Sequence, residues 1–199
     1  MNPISVFKKL ARELLRIFHR NKNSRLLLLQ RMPINAVCAE IGVWKGDFSN
    51  LIIDVVSPKK LHLIDPWEFQ SEFSERMFGG SVAKSQQDMD LIYKDVKARF
   101  SKFPNVIFNK GKSEKVLQEF PDRYFDWVYI DGNHYYDYVL KDLQICFSKV
   151  KDGGIIAGDD YTWGAKDGFP VKKAVQEFIK NNGLSDKLTI IGSQFIVEL

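Results

Sequence analysis

The sequence predicts an α/β domain, with helices on both faces of a mostly parallel sheet and an antiparallel hairpin at its end. Three observations carry this. Apolar runs of strand length alternate with helical patterns through the first five strands. Two further strand-like runs, Lys187–Ile191 and Gln194–Val197, flank Gly192-Ser193 and read as a terminal hairpin. The first strand also ends in an acid and a Gly-x-x-x-Gly turn, Glu40-Ile41-Gly42-Val43-Trp44-Lys45-Gly46, and a helical pattern follows directly. Ligands of such sheets bind beyond the carboxyl ends of the strands.

The elements follow in order. Lys8, Lys9, Arg12, Arg16, Arg20, Lys22 and Arg25 interleave with Phe7, Leu10, Leu14, Leu15 and Phe18, which predicts a basic amphipathic helix. Residues 1–33 are read as this N-terminal lid or packing segment, and residues 34–199 as the main domain. Asn35–Ile41 is the first strand, Phe48–Val55 a helix stopped by Ser57-Pro58, and Lys60–Ile64 the second strand, closed by Asp65-Pro66. Phe69 to Gln86 has weak periodicity and a Gly79-Gly80 pair, and reads as a loop or lid with some helix. Asp88–Phe100 is a polar helix, Val106–Phe108 a short strand, and Lys115–Phe120 a short helix ended by Pro121. Phe125–Ile130 is a strongly apolar strand and Tyr136–Val150 a helix. Asp152-Gly153-Gly154 turns the chain into the strand Ile155–Gly158, and Pro170–Asn181 is the last helix.

The bulk numbers set bounds. A chain of 199 residues suits one domain, and 45% hydrophobic with 27% charged residues predicts a packed core. A net charge of +4 gives no reason to expect a nucleic-acid partner. No secretory signal and no apolar run long enough to span a membrane is read from the sequence. The basic N-terminal helix suits contact with a membrane surface. Cys38 and Cys146 have no metal-like spacing and read as reduced core residues, which fits a cytoplasmic setting. The apolar hairpin, with Ile190, Ile191, Phe195 and Ile196, could form the interface of a homo-oligomer.

Four of the first five strand ends carry acids: Glu40, Asp65, Asp131 and the pair Asp159-Asp160. Acids favour caps and loops in any case, but four beside a glycine turn point to a site. Asp65, about 20 residues beyond the turn, has the position of an acid that pairs with ribose hydroxyls. The turn lacks the full Gly-x-Gly-x-x-Gly fingerprint, and its acid would repel a pyrophosphate. A cationic or neutral nucleoside with an amino acid tail suits it better.

These residues resemble the motifs of the class I S-adenosylmethionine-dependent methyltransferases. Glu40-Ile41-Gly42-Val43-Trp44-Lys45-Gly46 is similar to the family's first motif and Asp65 to its second. Tyr129-Ile130-Asp131-Gly132-Asn133-His134 and Gly153-Gly154-Ile155-Ile156-Ala157-Gly158-Asp159-Asp160-Tyr161 resemble the small-molecule O-methyltransferases, catechol-type enzymes and macrolide sugar enzymes among them. The resemblance covers roughly Ala36 to the end and implies a Rossmann-like methyltransferase fold with a seven-stranded sheet.

It also implies roles. Glu40, Gly42 and Gly46 would frame the methionine part of S-adenosylmethionine, with Ser49 near its carboxylate. Asp65 would hold the ribose, Gly111 and Ser113 would sit by the adenine, and Trp67 would cover it. Asp131, Asp159 and Asp160 would hold a divalent ion, with Asp131 in contact with either the ion or the cofactor's amino group. Where catechol-type enzymes carry an amide as the last ligand, this chain has Asp160; where they carry a lysine base, it has His134. A site of three carboxylates and water is hard and suits Mg2+, Ca2+ or another divalent cation rather than zinc. An ion bound to a substrate hydroxyl lowers its pKa, and His134 can take the proton near neutral pH. Tyr135, Tyr136, Tyr161 and Trp163 could line a pocket for a small-molecule acceptor. Two alternatives remain: a metal-independent enzyme with His134 alone as base, and a non-catalytic cofactor-binding or membrane-surface protein.

Overall fold

A computed structural model describes residues 24–71 and 83–199. The expected N-terminal basic helix lies, apart from residues 24 and 25, outside the described residues. Most of the expected lid, residues 72–82, lies outside them as well. Residues 24–29 are helical, and Leu28, Leu29 and Met32 are buried in one core cluster with Cys38 and Val56.

The remaining elements are β1 (Val37–Ile41), α1 (Asp47–Val56), β2 (Lys60–Asp65), α2 (Gln86–Arg99), β3 (Val106–Lys110), α3 (Ser113–Val116), β4 (Phe125–Ile130), α4 (Tyr136–Lys149), β5 (Val150–Gly158), α5 (Pro170–Asn181), β6 (Leu188–Ile191) and β7 (Gln194–Glu198). The seven strands form one sheet in the order β3-β2-β1-β4-β5-β7-β6. Strands β1 to β5 pair in parallel, while β7 runs antiparallel to both β5 and β6. The mostly parallel sheet with an antiparallel end is the fold class read from the sequence.

Alternation along the strands distributes the core over two faces. Leu61, Leu63 and Tyr129 lie in one apolar cluster with Phe48 and Val96. Ile64, Val128 and Ile130 lie in the other, with Leu143 and Phe178. Phe125 breaks the parity of β4, because the pairing with β5 shifts register between Phe125 and Trp127. Asp126 stands at that irregularity and accepts the N–H of Val37 at 2.7 Å, which fixes the start of β1. Both cysteines are free and buried, as expected.

Several boundaries differ from the sequence reading, most by a residue or two. Helix α2 starts at Gln86 rather than Asp88, because Ser85 caps it by accepting the N–H of Asp88. Helix α3 starts at Ser113 rather than Lys115. Strand β5 runs unbroken from Val150, with Gly153 at φ 72° inside it, so the glycine pair does not end one element and begin another. No helix among the described residues is long and apolar enough to cross a membrane.

The strand order places β1 between β2 and β4. The chain winds outward through β2 and β3, then returns across β1 to start β4. This reversal opens a crevice beyond the carboxyl ends of β1 and β4.

Candidate active site

A cavity of about 860 Å³ fills that crevice and is lined by Glu40, Gly42, Asp65, Ser113, Asp131 and His134 among others. Its floor is the turn after β1. Gly42 has φ 86°, and a Cβ placed there would meet the Asp131 carbonyl oxygen at 2.1 Å. The missing side chain of Gly42 lets the ends of β1 and β4 close on each other. The Asp131 N–H donates to the Ile41 carbonyl at 2.7 Å, and the Gly42 N–H to the Ile64 carbonyl at 2.9 Å.

Asp65 stitches the turn to β2. One carboxylate oxygen accepts the N–H groups of Val43 and Trp44, both at 2.9 Å, and the other accepts that of Trp67 at 2.6 Å. Burial pushes the Asp65 carboxyl up, and these three backbone donors pull the other way. Ser113 donates to Asp142 at 2.6 Å on the adjoining wall. Burial pushes the Asp142 carboxyl up to about 6, with Ser113 opposing.

Some of the expected cofactor residues stand behind the wall rather than on it. Gly46 caps α1 at φ 74°, and a Cβ there would meet the Phe100 ring at 2.7 Å. A Cβ on Gly111 would meet Val116 at 2.8 Å. Ser49 is fully buried and donates to Glu40. Trp67 is fully buried too; its ring centroid lies 4.6 Å from that of Tyr93, and its indole N–H donates to the Trp44 carbonyl. Trp67 thus props the turn from below, and its expected place over the adenine is corrected.

Glu40 is buried beneath the floor of the cavity. Burial pushes its carboxyl up to about 8, while Ser49 and Arg25 pull the other way. A carboxyl held above its ordinary value makes the folded state the better proton binder. Stability is then greatest below the ordinary value and falls as pH rises toward 8. We expect Glu40→Gln to remove this loss, so that its urea midpoint exceeds wild type by a margin that widens from pH 5 to pH 8. Each tenfold gain in proton affinity on folding corresponds to about 1.4 kcal/mol. Parallel stability curves for the two proteins would show that Glu40 does not titrate in this range.

The strand-end acids are arranged differently from the expected metal set. Asp131 and Asp159 are bridged by Arg25, a residue the sequence reading did not place in the site. Its Nη2 lies 2.6 Å from Asp131 Oδ2 and 2.6 Å from Asp159 Oδ2, and its Nε donates to Asp159 at 2.9 Å. The second oxygen of Asp159 accepts from Ser193, from Gln194 and from the Asp160 N–H. The group whose ligand atoms come together is instead Asp131, His134 and Asp160, within 4.8 Å of one another.

His134 Nε2 lies 3.2 Å from Asp160 and 3.5 Å from Asp131, without an aligned hydrogen bond to either. Burial pulls the imidazole down. Contact with Asp131 and the charges of Asp160 and Asp159 outweigh it and hold the ring above its ordinary value. Burial pushes Asp160 up to about 6, with His134 opposing. Asp160 also holds φ 60°, a strained conformation for a residue with a Cβ. Of the expected acceptor-pocket rings, Tyr135 and Trp163 line the cavity, with Trp163 edge-on to His134 at 5.3 Å. Tyr136 instead donates to Glu177 on the surface, and Tyr161 is buried near Phe195.

Comparison with known proteins agrees with this architecture. The O-methyltransferase NovP superposes with a TM-score of 0.64 at 20% identity, covering 88% of this chain and 79% of its own. A Staphylococcus aureus protein assigned as a caffeoyl-CoA O-methyltransferase gives 0.56 at 15% identity, over 100% and 92%. Spermidine synthase from Thermotoga maritima gives 0.55 at 14% identity, over 85% of this chain and 55% of its own. At such identities the likeness shows the fold alone. No protein of curated function matches the sequence. A family model described as a methyltransferase domain matches residues 39–161, from β1 to just beyond β5. The chain therefore belongs to this methyltransferase domain family, as a class I S-adenosylmethionine-dependent methyltransferase.

Proposed function

We propose that the chain transfers the methyl group of S-adenosylmethionine to a hydroxyl of a small molecule, with His134 as the base. The observation that carries this reading is the imidazole of His134 on the cavity wall beside the turn, flanked by Asp131 and Asp160. The two carboxylates favour the ring proton on Nε2 and leave Nδ1 as the basic nitrogen. In the transfer the hydroxyl oxygen forms a bond to the methyl carbon, and the carbon–sulfur bond breaks. The sulfonium leaves as the neutral thioether S-adenosylhomocysteine, and the hydroxyl proton passes to His134. The donor is already activated, so the protein contributes mainly position and proton removal.

The cavity volume suits a nucleoside cofactor together with a small acceptor. The rings of Tyr135 and Trp163 support an acceptor with an apolar face. The free cysteines are consistent with a cytoplasmic protein.

A divalent ion held by Asp131, Asp159 and Asp160 does not fit this arrangement. The Asp159 carboxylate is filled by four partners, and a guanidinium already joins it to Asp131.

Calorimetric titration of S-adenosylhomocysteine tests the cofactor site, and micromolar affinity is expected. With an acceptor found by screening, His134→Ala is expected to lower kcat about 100-fold or more, with S-adenosylhomocysteine affinity within a few-fold of wild type. A folded protein that binds no S-adenosylhomocysteine would overturn the reading. Full activity in His134→Ala would remove His134 as the base and leave methyl transfer standing.

A further inference from the structure

We propose that Arg25 is the resident cation between Asp131 and Asp159: it occupies the position that a divalent ion shared by these two carboxylates would need, and so excludes such an ion. The inference rests on the methyltransferase reading of the cavity.

Asp131 and Asp159 follow neighbouring parallel strands, whose last paired residues are Ile130 and Gly158, and Asp160 comes next. Three carboxylates crowded at one point repel one another and need a positive charge among them. A guanidinium meets that need well. Its planar fork reaches two acids at once, which an ammonium does poorly. Arg25 does this through Nε and Nη2, and its carbon centre stands 5.0 Å from the centroid of the Phe48 ring.

The arginine is also fixed in place. The core anchors Leu28, Leu29 and Met32 just after it. On the other side Ser24 packs on the β6–β7 turn so closely that a Cβ on Gly192 would come within 3.0 Å of the Ser24 Cβ. Arg25 therefore projects from a segment clamped between core and hairpin. Asp131, held by that arginine on one oxygen, keeps its other oxygen toward His134. Arg25 is thus a positioning residue, acting on the base through Asp131.

Manganese alone serves as the probe, titrated by calorimetry and by electron paramagnetic resonance into protein saturated with S-adenosylhomocysteine. Wild type is expected to show no stoichiometric binding that depends on Asp159 up to about 1 mM, the weak end of built divalent sites. Arg25→Gln, freeing both carboxylates, is expected to bind at least about tenfold more tightly and to lose that binding in Arg25→Gln/Asp131→Asn. Turnover of wild type is expected to ignore a chelator, whereas that of Arg25→Gln falls in kcat rather than in KM and is partly restored by manganese.

Stoichiometric manganese binding by wild type, lost in Asp159→Asn, would overturn the proposal. So would failure of a folded Arg25→Gln to gain any binding. If that variant does not fold, the wild-type titration decides alone. Failure to bind S-adenosylhomocysteine would strike the methyltransferase reading, and the manganese titration would still report on Arg25.

Discussion

Gly42→Ala is expected to destabilise the protein by more than about 4 kcal/mol, in the range reserved for severe steric defects. The added Cβ would lie 2.1 Å from the Asp131 carbonyl oxygen, 2.4 Å from its carbon and 2.7 Å from the Gly132 Cα. All three are backbone atoms, so no side chain can swing aside. The backbone itself is held on both sides, by the Asp131 N–H on Ile41 and the Gly42 N–H on Ile64. The left-handed φ adds about 1–2 kcal/mol of its own. Gly183 supplies the control: φ is 69° there, but a Cβ would meet nothing within 4 Å. Gly183→Ala should therefore show the conformational cost alone. Urea unfolding of both variants makes the comparison. Equal midpoints would mean that β1 and β4 are not locked as described.

Asp65→Ala is expected to lower stability by about 3–5 kcal/mol, since three buried or half-buried N–H groups lose their acceptor at roughly 1–3 kcal/mol apiece. Affinity for S-adenosylhomocysteine should fall at least about 100-fold, or 2.7 kcal/mol by the affinity relation, because the turn that forms the cavity floor comes loose. Asp65→Asn keeps one carbonyl oxygen and should fall between. The two measurements together separate two roles. A residue that only grips the ribose would weaken binding and leave the unliganded protein's melting temperature unchanged. That outcome would refute the stitching role of Asp65.

The sheet was legible because its strands are short apolar runs separated by helical patterns, and the hairpin because Gly192-Ser193 interrupts two such runs. The site was legible where chemistry lies at a strand end. Glu40, Asp65, Asp131 and Asp160 follow from that rule, and the structure brings His134 to two of these acids.

What the sequence hid were relations across long separations. Arg25 is one basic residue among seven in a helical pattern, and its partners lie 106 and 134 positions away. No local signal distinguishes it from its neighbours. Asp142 was hidden for a different reason. It lies on the inner face of α4 with Val139, Leu143 and Cys146, so spacing alone marks it as buried. Its polarity invites a surface assignment unless that face is counted. Trp67 and Gly46 were misplaced because a motif gives order along the chain and not depth below a wall.

The hairpin that ends the sheet sets a timetable for the enzyme's assembly. Ser193 and Gln194 hold Asp159, and Gln194 also accepts the buried Tyr129 hydroxyl at 2.6 Å. Chains emerge from the ribosome with their N-terminal residues first, so all the strand-end acids precede the two residues that hold Asp159 in place. A nascent chain halted before residue 193 would present β5 as an open sheet edge, a ready template for pairing with another chain. Competence for chemistry thus waits until residues 193 and 194 are translated, and the hairpin both holds Asp159 in the acidic cluster and closes off an aggregation route.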